Sequence, residues 1–235
     1  MGALATFLLW TACTAYLVSA VFALIFLKNG KTSFIKPTAI ALFSGCILLF
    51  FALTTRGWAM QRLPLVGPRD ALDLLILLAG CATVPIVRRP RAASLVCFHA
   101  PALAALCLLG VFFFPTTTSA PTHALRSMPL ILHVGIAFLA YAYFLSTGLT
   151  SAAYVLQARR LKRHQTTGVF EHLPSLEELD KTLWASVRRG YLLFAITLLI
   201  GLAWAYTDRS LLGEYWYLSP KVLLSFVMVL FYAGC

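Results

Sequence analysis

Six apolar stretches, each with the length of a membrane-spanning helix, alternate along this chain with polar or Gly- and Pro-punctuated connectors. They run approximately from Leu4 to Leu27, Thr38 to Thr55, Ala71 to Val87, Ala93 to Phe114, Pro129 to Gln157 and Tyr191 to Tyr206. A spanning helix needs about 20 mainly apolar residues, because the hydrocarbon core is roughly 30 Å thick and each residue rises about 1.5 Å. A seventh apolar stretch begins near Val222 and holds about 14 residues up to Cys235, short of that length. The expectation is therefore a fragment or truncated reading frame, with a short last helix covered by its neighbours as the alternative. The pattern predicts an all-α polytopic membrane bundle of six full spans plus a short or truncated seventh. It divides into a four-span region over 1–127 and a second region over 128–235.

One connector has the pattern of a helix outside the hydrocarbon. In Leu173-Pro174-Ser175-Leu176-Glu177-Glu178-Leu179-Asp180, Ser175 and Glu178 form a capping box, which starts a helix. Leu176, Leu179, Leu183, Trp184 and Val187 fall on one stripe, and Glu177 and Lys181 form an i,i+4 pair on the other face. Acidic residues in its first turn and Arg188 and Arg189 at its far end match the macrodipole and anionic headgroups. The expectation is a helix lying on the inner membrane surface that turns near Gly190 into the sixth span.

Composition excludes a water-soluble fold. Hydrophobic residues make up 60% of the 235 residues, charged ones 11%, and the mean hydropathy is +0.85, which leaves too little polar surface to cover a globule. The net charge of +11 would suit nucleic acid, but its distribution points to membrane topology instead. Lys28, Lys31 and Lys36 follow the first span, Arg88, Arg89 and Arg91 the third, and Arg159, Arg160, Lys162, Arg163, Lys181, Arg188 and Arg189 the fifth. These are 13 of the 19 basic residues. The positive-inside rule then places the N-terminus and the loops after the second, fourth and sixth spans outside. The first span has no basic n-region and is too long for a signal-peptide h-region, so it is expected to remain as a helix. Cys13, Cys46, Cys81, Cys97 and Cys107 fall within apolar spans without a Cys-x-x-Cys pair; they are expected to pack as small hydrophobes.

Candidate chemistry gathers at the outer face. The loop Leu212-Gly213-Glu214-Tyr215-Trp216-Tyr217-Leu218-Ser219-Pro220-Lys221 offers aromatic faces and a cation at a membrane border, which suits a flat, apolar, partly anionic ligand. His133 lies a few residues inside the outer end of the fifth span. It is open to two readings: a ligand for a metal or haem iron, or a helix-to-helix hydrogen bond. His123 lies in the outer loop and His164 and His172 in inner loops. His99, beside Pro101, is expected to satisfy a carbonyl freed by that proline. Asp73 is expected to snorkel or to pair with a neighbour such as Arg69. No Ser-His-Asp arrangement, carboxylate pair or phosphate-cradling glycine loop is present in the sequence, so independent catalysis is not expected.

Four motifs carry a family resemblance. Leu132-His133-Val134 followed by Leu139-Ala140-Tyr141, then Leu173 to Asp180, then Gly201-Leu202-Ala203-Trp204-Ala205, then Gly213-Glu214-Tyr215-Trp216 with Pro220-Lys221 resemble the cytochrome c assembly protein family, which includes CcsA, CcmC and HemX-like membrane proteins. The resemblance covers about Met128 to the end; the first half is similar in hydropathy alone. It implies haem handling at the outer face of a bacterial inner (plasma) or organellar membrane, with a partner subunit and transfer of haem to apocytochrome c. By match, His133 is the first outer axial ligand, and Tyr215, Trp216, Pro220 and Lys221 belong to the haem-contacting loop. Aromatic faces would stack on the porphyrin, and Lys221 would meet a propionate.

Departures from the family pattern point to its HemX-like branch. Ser219 stands where the loop usually carries aspartate and Leu218 where tryptophan-rich members carry a second tryptophan. The second outer histidine and the histidine of the last span are absent before Cys235, and the second span has no histidine. A second axial ligand would have to come from His123 or from a partner chain. A haem-free scaffold or regulatory protein of the same fold is the alternative function, and a small-solute permease a further one, although the intramembrane polar network is sparse and no inverted repeat is visible.

Overall fold

Helices form wherever the apolar runs predict them. A computed structural model describes residues 3–60, 67–114, 128–163, 172–207 and 216–234. The helices are α1 (Ala3–Asn29), α2 (Ile35–Met60), α3 (Pro68–Ala82), α4 (Val84–Val87), α5 (Val96–Phe113), α6 (Met128–Lys162), α7 (Leu176–Thr207) and α8 (Pro220–Ala233). No strand occurs among the described residues. Among the described residues, six helical segments are long and apolar enough to cross a membrane, α3 and α4 together counting as one. The chain is an integral membrane protein.

Local chemistry sets the ends and bends. Gly30 adopts φ 70°, which lets its N–H reach the Phe26 carbonyl at 2.8 Å and closes α1. The third span is broken between α3 and α4 at Thr83. Pro85, in the first turn of α4, has no N–H to donate to the Cys81 carbonyl, and the Thr83 hydroxyl and amide both turn back to the Gly80 carbonyl, at 2.6 and 3.1 Å.

One layer is built from α1, α2, α3 and α5, with the α1–α2 and α1–α5 seams the most extensive. Tyr16, Phe26, Leu42, Leu49, Ile76 and Leu103 are fully buried at its centre. Cys13, Cys46, Cys97 and Cys107 are buried there as small side chains, and Tyr16 Oη donates to Cys46 Sγ at 3.3 Å. Cys81 departs from the expectation: it sits on the exposed side of α3, since the helix turns it away from the face that carries Ile76, Leu77 and Gly80.

This layer also buries four charges. Arg56 at the end of α2 pairs with Asp70 in the first turn of α3. Asp73 Oδ2 accepts from Arg69 Nε at 2.9 Å and lies 3.6 Å from Arg56 Nη1. All four side chains are at most 2% exposed. The pairing of Asp73 with Arg69 is as expected, but Asp73 does not snorkel. It is enclosed, and Arg56 and Asp70 complete a neutral quartet that a single-helix reading does not reveal. Gly110 of α5 makes room for it, because a Cβ there would lie 2.9 Å from Arg69 Nη1.

The second layer is the hairpin of α6 and α7, whose seam is the most extensive in the molecule, with α8 against α7. It joins the first layer through α3 and α5. At 35 and 32 residues, these helices are roughly 52 and 48 Å long, so both extend beyond the hydrocarbon. The capping box is half formed, with the Glu178 amide donating to Ser175 Oγ at 3.3 Å.

The expected turn near Gly190 is absent. α7 is one continuous helix from Leu176 to Thr207, and the predicted surface helix and sixth span are its two halves. Gly190 is a packing glycine: a Cβ there would lie 2.9 Å from the Phe144 ring of α6. The stripe seats on protein instead of lipid. Leu179 is fully buried with Ile86, Ala92, Leu95 and Ala153, Val187 is buried, and Trp184 remains exposed.

On the opposite face Lys181 Nζ donates to Glu177 Oε1 at 2.6 Å, with both side chains largely exposed. This hydrogen bond holds the Glu177 carboxyl below its usual range and the Lys181 ammonium above its own. The contribution from Glu177 is present above its unfolded value and fades as pH falls through the acid range. The contribution from Lys181 is present at neutral pH and fades in strong alkali. Lys181→Gln is expected to return the Glu177 carboxyl towards its ordinary range, read by an NMR titration, while the melting temperature stays unchanged, because exposed pairs contribute little.

Candidate functional site

His133 is held by a reciprocal clasp between α6 and α7. Its Nδ1 lies 2.8 Å from the Thr197 carbonyl, and Thr197 Oγ1 donates to the His133 carbonyl at 3.1 Å. A carbonyl oxygen only accepts, so Nδ1 carries the hydrogen, and in the neutral ring Nε2 keeps its lone pair. The two readings of this residue are thus compatible: one nitrogen joins the helices and the other is left for a ligand. A backbone carbonyl behind the imidazole is the arrangement that orients a metal-ligating histidine and fixes its tautomer.

Gly201, one turn beyond Thr197, makes the clasp possible. A Cβ at this position would lie 2.6 Å from His133 Cε1 and 2.8 Å from Nδ1, so the ring occupies the space of an absent side chain.

A cavity of about 540 Å³ opens beside the imidazole between α6, α7 and α8. Its wall includes Leu130 and His133 of α6, Leu198, Gly201 and Trp204 of α7, and Ser219, Pro220 and Val222 where α8 begins. A volume of this size falls in the roughly 300–1,000 Å³ range of small-molecule and cofactor sites, and the mostly apolar wall with a few polar groups fits that class too. The Ser219 hydroxyl does not cap α8. The Trp204 indole N–H is enclosed, with no hydrogen-bond partner among the described residues.

The structure therefore brings His133 and Pro220 together. Trp216 lies in a 3-10 turn, Trp216–Leu218, leading into α8, and Lys221 in the first turn of that helix. The side chains of Trp216 and Lys221, and all of Tyr215 and His123, lie outside the described residues. Gly201, Trp204 and Thr197 were not singled out as site residues by sequence. The motif Gly201-Leu202-Ala203-Trp204-Ala205 carried the signal, since Gly201 and Trp204 share a helical face.

His99 forms a separate polar joint. Its Nδ1 lies 2.9 Å from the Leu95 carbonyl and its Nε2 2.9 Å from Ser146 Oγ of α6. It satisfies a backbone carbonyl, but that of Leu95 and not the one freed by Pro101, because the imidazole folds back over the preceding turn. Both nitrogens are engaged and it is fully enclosed, so it has no free site for a ligand. No cluster of three or more His, Cys, Asp or Glu that would hold a metal ion occurs among the described residues.

Fold and site define a polytopic helical membrane protein with a histidine-bearing apolar cavity between its last helices. The chain belongs to the Cytochrome C assembly protein family, which matches residues 1–235, both the four-span region and the region of the aromatic loop. It is similar to Protein HemX of Brevibacillus brevis, 29% identical over 126 residues that are 54% of this chain and 45% of the relative. Protein HemX of Bacillus subtilis (strain 168) is 25% identical over 209 residues, 88% of this chain and 72% of the relative. The cytochrome c biogenesis protein CcsA of Prochlorococcus marinus (strain MIT 9312) is 32% identical over 134 residues, 47% of this chain and 41% of the relative. In the first and third of these the match spans less than half of the relative's own length. No solved structure matches the chain. Family membership supports a role in cytochrome c biogenesis.

Proposed function

We propose that the protein is a haem-handling factor of cytochrome c assembly that takes haem into the cavity between α6, α7 and α8 with His133 as an axial ligand. The observation that carries this reading is the hydrogen bond from His133 Nδ1 to the Thr197 carbonyl at 2.8 Å, which presets the ring for ligation through Nε2. The residues present fit the group: an apolar wall for the porphyrin, one oriented imidazole for the iron, and Pro220 at the border. Tyr215, Trp216 and Lys221 are proposed to complete the site by stacking and by pairing with a propionate. Haem, when bound, supplies the iron porphyrin that apocytochrome c receives.

The chain's own contribution is to bind, orient and shield. Thr197 and Gly201 hold the imidazole, while Leu130, Leu198 and Val222 exclude water from it. The protein acts as a carrier, not as an enzyme. Its location is the bacterial inner membrane, with the cavity on the outer side, as the asymmetry of Lys and Arg indicates. A partner subunit of cytochrome c assembly and apocytochrome c are its proposed protein partners.

A haem-free scaffold of the same fold is the second reading, favoured by Ser219 at the family's aspartate position and by His133 being the only histidine lining the cavity among the described residues. The visible spectrum of the full-length product, purified in detergent from haem-replete cells, separates the two. A Soret band is expected that is lost or strongly weakened in His133→Ala. A colourless wild-type protein would establish the scaffold reading, and an unchanged band in the variant would show that another residue is the ligand.

A further inference from the structure

We propose that Arg188 and Arg189 bind the phosphate of an anionic phospholipid, whose acyl chain lies along the exposed apolar stripe of α7. This surface is separate from the cavity beside His133 and does not depend on the haem reading.

The unbroken course of α7 leaves these two cations without the role that their place in the sequence suggests. A helix ending near Gly190 would set them against its last carbonyls, but α7 continues to Thr207. Both stand in its middle with exposed side chains. No Asp or Glu lies within four residues of either, so neither has a carboxylate one turn away on its own helix. The ion pairs formed among the described residues involve other side chains. Arg189 leans towards α6, its Cζ 5.9 Å from the centre of the Tyr143 ring, a contact that steadies the guanidinium without neutralising it.

The surroundings identify the anion. Trp184, Arg188, Leu192, Ile196 and Leu199 recur at three- to four-residue spacing on one exposed face of α7, so the stripe is aromatic, then cationic, then hydrocarbon. From Tyr191 to the end of α7 at Thr207 the helix rises roughly 24 Å, most of the roughly 30 Å of a hydrocarbon core. The arginines therefore stand at the border where that core begins, on the side that faces lipid. From Arg188 to Leu199 the rise is roughly 16 Å, about the depth of one leaflet's hydrocarbon. A molecule with a phosphate at Arg188 and an acyl chain of that length matches both parts of the stripe. Guanidinium groups meet phosphate oxygens in bidentate geometry, and a tryptophan ring suits the headgroup level. Two uncompensated cations favour a headgroup of net negative charge, because a zwitterionic one brings its own ammonium against them.

The test titrates the full chain, stripped of lipid in neutral detergent, with phosphatidylglycerol and with phosphatidylcholine of the same acyl chains, and counts bound lipid by native mass spectrometry. Wild-type protein is expected to prefer phosphatidylglycerol, and Arg188→Gln with Arg189→Gln to shrink that preference by roughly tenfold to a hundredfold. Restoring the charges as Arg188→Lys with Arg189→Lys should recover part of it, since lysine attracts phosphate but lacks the bidentate fork. The stripped variants should melt with the wild type, because both side chains are exposed. Arg88→Gln with Arg89→Gln removes the same charge from another exposed place and should leave the preference intact. An equal loss in that control would overturn the site in favour of a diffuse basic surface. A preference that survives the change of Arg188 and Arg189 to Gln would overturn it outright. Wild-type protein that binds both lipids alike would also overturn it, and would assign the pair to a carboxylate of a partner subunit.

Discussion

Gly201→Ala is expected to abolish the His133 site almost as completely as removing the histidine. Glycine to alanine inside a helix ordinarily stabilises by about 0.5–1 kcal/mol, because the unfolded chain loses freedom and the helix gains a better former. Here the sign should reverse. The new methyl would stand 2.6 Å from His133 Cε1, inside contact distance, and the ring could move away only by breaking its bond to the Thr197 carbonyl. Overpacking of this kind costs about 1–3 kcal/mol, and the displaced imidazole no longer offers Nε2 to the cavity. The measurement pairs the Soret absorbance with a melting curve, and Gly135→Ala and Gly148→Ala serve as controls, since a Cβ at either meets nothing within 4 Å. The controls should be neutral or slightly stabilising and keep the absorbance. A Gly201→Ala protein as stable and as coloured as the controls would show that the close approach does not matter.

The largest effect on stability is expected in the other layer. Arg56→Leu leaves Asp70 and Asp73 facing Arg69 alone, one buried carboxylate without a counter-charge. Breaking a buried pair from one side costs about 3–5 kcal/mol, while replacing both partners by apolar groups is often neutral. Arg56→Leu should therefore unfold at much lower temperature or denaturant concentration in detergent, and the double change Arg56→Leu with Asp70→Leu should recover most of the loss, because Arg69 and Asp73 remain as a neutral pair. A double variant no better than the single would mean that the quartet acts through its hydrogen bonds and shape and not through charge balance.

The sequence made the spans legible because lipid leaves the backbone few options: a long apolar run must be a helix. It made the start of α7 and the Glu177–Lys181 pair legible because capping and i,i+4 contacts are local. The features it hid depend on a second helix. Arg56 at the edge of one apolar run and Asp70 at the edge of the next look like interfacial residues until the α2–α3 hairpin brings them together. Gly190 looks like a hinge unless Phe144 is known to fill its missing side chain. In the site, His133 was visible as chemistry, but its partner is the carbonyl of Thr197, a group every residue carries and no motif can mark. Gly201 and Trp204 were visible only as part of a motif, since lining a cavity is a property of their surroundings.

The unbroken course of α7 carries a mechanical consequence. Leu179, wedged among Ile86, Leu95 and Ala153 at one end, and Gly201, seated against His133 at the other, are separated by roughly 33 Å of continuous helix. A rod without a joint has nowhere to absorb a twist. The anchorage of Leu179 therefore fixes the angle at which Gly201 meets the imidazole, and the two ends of α7 are held in one register.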